Sequence, residues 1–115
     1  MTELVTPLRL PSEYDEMENF ILKNKVILTE HIISSVYFAV NNDLSSIELF
    51  NFENSDFIVV LEHTSFKDNV ENIFKFYVET EKYEFCNRVN KLKKLLEKHE
   101  QEKQKKRHKS KNPPK

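Results

Sequence analysis

One cysteine, four histidines and a cluster of carboxylates are the side chains of this 115-residue chain whose types suit catalysis or metal binding. Paired with His63 or His99, Cys86 would make a thiolate–imidazole nucleophile; joined with His31, His63, His99 and His108 it would supply the sulfur and nitrogen ligands that zinc prefers. The spacing fits neither use, because no C-x-x-C or H-x-x-x-H pair occurs. Cys86 falls in a helical pattern between Tyr83 and Val89, which predicts a small buried hydrophobe with a free thiol. Glu13, Asp15, Glu16 and Glu18 crowd one helical turn and have no convergent partners. They are expected at a solvated helix start, where the helix dipole favours negative charge. No catalytic site, metal, cofactor or small-molecule substrate is expected, and the chain is read as a non-enzyme.

The second chemistry is charge. Residues 91–115 carry eleven Lys or Arg against three Glu, and residues 1–90 carry seven against sixteen, so a tail of +8 and a body of −9 sum to the net −1. Such a division predicts different partners for the two parts. In the tail, Lys103, Lys105, Lys106, Arg107, Lys109 and Lys111 form a density of cations that neutralises phosphates without reading bases. No aromatic residue lies among them to stack on a base, so contact with nucleic acid is expected through its backbone. The same run fits two other readings, a nuclear address in a eukaryotic host and a solubilising tail.

Composition excludes several classes. The chain has no glycine, and phosphate-cradling loops and the hydrolase nucleophile elbow both require one. Eleven Asn and nine Phe, with abundant Lys, Ile and Glu, resemble the bias of an A/T-rich genome such as that of a phage or a low-GC bacterium. No apolar run approaches the 18 or more residues of a membrane span, Phe57 to Leu61 being among the longest. With one cysteine, the expected setting is the reducing cytoplasm.

These residues must be positioned by few elements. Pro7 and Pro11 predict an extended arm over residues 1–11. Ser12 is expected to cap a helix over 13–23, and Thr29 a second whose apolar face is Ile32, Ile33, Val36, Tyr37 and Val40, stopped by Asn41, Asn42 and Asp43. Residues 46–52 and 56–62 read as a hairpin turned at Glu53, Asn54 and Ser55. The second strand is apolar on both faces, so a cover is expected on each side. Ser65 opens a third helix, and Val78, Phe85, Val89, Leu92 and Leu96 keep one phase across Thr80, allowing either one helix or two over 66–107.

The fold class predicted is a small α+β domain over residues 12–96, in α-α-β-β-α order on a two-stranded antiparallel hairpin. A basic helical extension and a disordered end follow over 97–115. Phe50 and Phe52 on the hairpin, with Phe76 and Tyr83 left over from the helical stripe, are the expected protein-interface residues. The function this organisation predicts is an accessory or regulatory one. The acidic domain docks on a protein partner or on itself, and the basic extension contacts nucleic acid. The alternative is an assembly protein that oligomerises through the hairpin and long helix.

Overall fold

The computed structural model describes the backbone of residues 6–111 and the side chains of residues 6–102. It has the α+β class, built from four helices and a three-stranded mixed sheet. The chain divides into two compact units, Met1–Asp68 and Asn69–Lys115.

In the first unit the arm is itself a strand. β1 (Leu8–Leu10) lies parallel to β2 (Ser46–Phe52), with Leu8 opposite Phe50 and Leu10 opposite Phe52. This corrects the expected two-stranded hairpin and its α-α-β-β-α order: the sheet has a third strand, and the chain enters it first. Proline forbade only the interior of a long strand, and three residues fit between Pro7 and Pro11. Past the strand, the amide of Glu53 donates to Leu10 O at 2.9 Å, and Ser12 Oγ donates to Glu53 O. Ser12 is therefore spent on the sheet and does not cap a helix. The N-cap of α1 (Tyr14–Lys23) is Glu13, without a side-chain cap bond, and Asp15 and Glu16 supply the negative first turn.

α1 runs into α2 (Lys25–Asn41) through Asn24 alone, whose backbone and side-chain amides both donate to Phe20 O. The second helix thus starts four residues before Thr29, which lies inside it with Oγ1 donating to Val26 O at 2.9 Å. α2 buries Leu28, Ile33, Val36, Ala39 and Val40. Ser35, fully buried, donates to His31 O at 2.8 Å, so no polar group is stranded there.

β2 pairs on its other side with β3 (Ile58–Glu62) in antiparallel register, Ile47 opposite Leu61 and Glu48 opposite Val60. The register shifts by one between Glu48 and Phe50, so Leu49 is the extra residue of a bulge. His31 of α2 spans this irregularity. Its Nε2 lies 2.7 Å from Leu49 O and its ring 5.7 Å from that of Phe50. Since a carbonyl only accepts, Nε2 carries the hydrogen. Ile47, Leu49 and Leu61 are buried, whereas Glu48, Ile58, Val60 and Glu62 are exposed, so one face of the sheet is covered and the other is solvated.

The 3₁₀ turn at His63–Ser65 leads into α3 (Phe66–Glu79), whose residues from Asn69 on belong to the second unit, and a three-residue break separates α3 from α4 (Tyr83–Lys111). Two helices, not one, therefore occupy this stretch. They run antiparallel: Tyr77 meets Phe85 with ring centroids 5.2 Å apart, and Lys93 Nζ sits 4.8 Å from the Phe74 ring centroid. Val70, Ile73 and Tyr77 are buried on α3, and Cys86, Val89, Leu92 and Leu96 on α4.

Without glycine, the turns use left-handed residues of other types: Asp43, Asn54 and Glu81 have φ of 53°, 54° and 58°. α2 and α3 close identically. Asp43 N donates to Val40 O and Leu44 N to Ala39 O; Glu81 N donates to Val78 O and Lys82 N to Tyr77 O. Asp and Asn tolerate this conformation through local hydrogen bonds, but Glu does not, and an L-residue there costs roughly 1–2 kcal/mol. Glu81→Gly is therefore expected to raise stability by about 0.5–1 kcal/mol after allowing for the freer unfolded chain, and Glu81→Val to lower it. Urea unfolding followed by circular dichroism measures both; a Gly variant less stable than the parent would refute the account.

Candidate interaction surface

The residues with catalytic potential are dispersed. Cys86 is buried in α4 as a free thiol. His63 is exposed, with Nδ1 3.1 Å from Ser45 O, and His31 is engaged at the bulge. Glu13, Asp15, Glu16 and Glu18 are all exposed. Among the described residues no three His, Cys, Asp or Glu side chains converge on a point able to hold a metal. No helix among them is long and apolar enough to cross a membrane.

Of the four expected interface aromatics, Phe50 and Phe52 lie on the central strand and are partly buried, Phe50 against His31 and Phe52 in register with Leu10. Phe76 is also partly buried, its ring 5.7 Å from Tyr77, and Tyr83 is 59% exposed at the start of α4. Two of the four thus share the first unit and two the second.

The apolar surface that sequence spacing did not single out is the approach to β3 and its length. Phe57 is 75% exposed, Ile58 47%, Val59 40% and Val60 45%. The run was visible as apolar on both faces, but its position was not. The sheet order β1-β2-β3 makes β3 an edge among the described strands, and α2 packs on β2 at the sheet's inner face. His63 N donates to Ser45 O at 2.8 Å, which sets the phase of the ladder. Because hydrogen-bonded and non-bonded pairs alternate along antiparallel strands, Leu61 and Val59 turn their backbone groups toward β2, and Ile58, Val60 and Glu62 turn theirs outward. Those same three residues share the solvated face. The opposite edge differs. β1 has three residues, and Pro7 and Pro11 bracket it, a combination that blunts strand addition.

The basic residues expected to meet phosphate belong to α4, whose backbone stays helical to Lys111. The side chains of Lys103, Lys105, Lys106, Arg107, Lys109 and Lys111, and the expected disordered end, lie outside the described residues. The last buried residue among those described is Leu96. Past it the helix continues through residues 97–111, about 22 Å at 1.5 Å per residue.

Comparisons with family models, curated proteins and solved structures find no match of any kind. Function must be argued from these surfaces alone.

A buried thiol in a helix without an activating partner reacts slowly. Cys86 is expected to resist a thiol-specific chromogenic reagent in the folded protein and to react within minutes in denaturant. Rapid stoichiometric labelling of the native chain would restore the nucleophile reading.

Proposed function

We propose that this chain is a non-enzymatic accessory or regulatory protein that joins a protein partner to nucleic acid. The acidic unit docks on the partner, and the basic stretch of α4 lies along phosphates without reading sequence. The observation that carries this reading is the continuation of α4. A helix of 29 residues whose last described buried side chain is Leu96 carries seven Lys or Arg against three Glu over residues 97–111. Apolar burial does not account for that length, and a polar helix in water is marginal without a partner. A polyanion supplies one: phosphates neutralise the cations whose mutual repulsion otherwise opposes the helix. The acidic first unit, with twelve Asp or Glu against four Lys or Arg over residues 1–68, repels the same polyanion and stays free for a protein.

Fluorescence anisotropy on a short DNA duplex of arbitrary sequence tests the reading. If all six tail cations meet phosphates, the logarithm of the binding constant is expected to fall with the logarithm of salt at a slope of about −5. Changing Lys103, Lys105, Lys106, Arg107, Lys109 and Lys111 to Gln is expected to abolish most of that slope. A slope unchanged by the six substitutions would remove the tail from the function.

The exposed apolar strand β3 also favours a second reading, an assembly protein that oligomerises through the hairpin and long helix while the tail only solubilises. Light scattering separates the two. A stable dimer or larger species is expected under the assembly reading, and a monomer at micromolar concentration counts strongly against it.

A further inference from the structure

We propose that the outer edge of β3 is a strand-addition site for an extended peptide segment of a protein partner, and that the segment is basic at its ends and apolar in between. The proposal rests on the docking function above and names its site and the chemistry of its ligand.

The backbone provides the first argument. Ile58, Val60 and Glu62 turn their amides and carbonyls away from β2, a phase set by the 2.8 Å bond from His63 N to Ser45 O. An added strand satisfies these groups as a fourth member of the sheet, the mode in which main-chain bonds give affinity and alternate side chains give specificity. Exposure provides the second. Ile58 and Val60 remain 47% and 45% exposed on the solvated face, and they would pack against alternate apolar side chains of the added strand. The contrast between edges provides the third, since the proline-bracketed β1 is closed to addition and β3 contains no proline.

Charge selects the occupant. Glu62 ends the outward-facing row, Glu48 stands directly across from Val60 on the same face, and Asp56 and Glu53 lie at the turn end; all four are exposed. A second copy of this chain is a poor match. Self-pairing brings two edges flanked by the same carboxylates together in any register, and in the one centred on Val59 it sets Glu62 directly opposite Asp56 of the other copy twice over, where like charges are destabilising. Lys or Arg at the two ends of an incoming strand converts these contacts into favourable pairs, with apolar residues opposite Val60 and Ile58 between them. The net negative charge of the first unit then speeds encounter with such a segment and slows encounter with a second copy.

The probe is a fluorescein-labelled, end-blocked peptide, Lys-Thr-Ile-Thr-Val-Thr-Lys, tested on the full chain beside the same peptide with Glu at both ends. Binding of the Lys peptide is expected to be about tenfold tighter than that of the Glu peptide at low salt, with the difference shrinking as salt rises. Val60→Pro removes an outward amide while sparing the bonds to β2, a position at which edge proline is tolerated. It is expected to weaken the Lys peptide at least about tenfold. Should that variant fail to fold by circular dichroism, Ile58→Lys with Val60→Lys gives the same readout by repulsion.

Equal affinity for the two peptides, or a folded edge variant that binds like the parent, overturns the proposal. So does a dimer that Val60→Pro dissolves, which would make a second copy the occupant. If the peptide fails while salt-dependent duplex binding through α4 persists, the edge site falls and the accessory function stands; if duplex binding fails, that function falls whatever the peptide does.

Discussion

The fold of the first unit depends on the hydrogen-bonding of β2 along both of its sides. β1 joins it in parallel, β3 joins it antiparallel, and α2 lies over its inner face, so β2 links the other two strands to the helix that covers them. A two-stranded ribbon is marginal in water, and the third strand with its covering helix is the minimum that stands alone. The bulge at Leu49 is a local cost of this arrangement, since it leaves a carbonyl turned out of the ladder. His31 reaches down from α2 to take it. The packing of the helix and the irregularity of the strand are thereby coupled through one ring, which also stacks at a tilt on Phe50.

Surface properties follow from the same arrangement. A central strand bonded on both sides pushes its liabilities outward to the edges, and the two edges are managed differently. On one, short length and flanking prolines disfavour further pairing; on the other, carboxylates stand around an exposed apolar strip. Negative charge is concentrated in residues 1–68 and positive charge in the last part of α4, so the two ends of the sequence carry opposite fields.

Legibility in the sequence followed the range of the interaction. α1 and β2 could be read almost to the residue, because helical spacing and strand alternation are written in neighbours. Thr29 misled because a threonine inside a helix can bond its own backbone as readily as it caps one, and Asn24, an unremarkable residue, took the break. Ser12 misled for a long-range reason: its oxygen bonds Glu53, 41 positions away, and no local pattern records that. The same gap hid the third strand. Leu8 and Leu10 are too few to show alternation, and without knowing that β1 occupies one side of β2, the run from Phe57 to Val60 reads as a strand to be covered and not as an open edge. Of the aromatics expected at an interface, Tyr83 could be recognised as surplus to the helical stripe, while Phe50 could not be distinguished from an outward residue because the bulge reverses the alternation around Leu49.

The parallel pairing of β1 with β2 carries a consequence for the order of folding. β1 leaves the ribosome with no partner, and its ladder forms only after α1, α2 and the turn at Asp43 have been made, with Arg9 finally opposite Asn51. The β2–β3 hairpin, closed by a short turn, does not wait in this way. Non-local pairing is slow because the entropy of closing the loop is lost before any contact compensates it. The N-terminal strand is thus expected to be the last part of the sheet to lock, its docking and the Ser12 bond to Glu53 closing a helix pair and a hairpin into one unit.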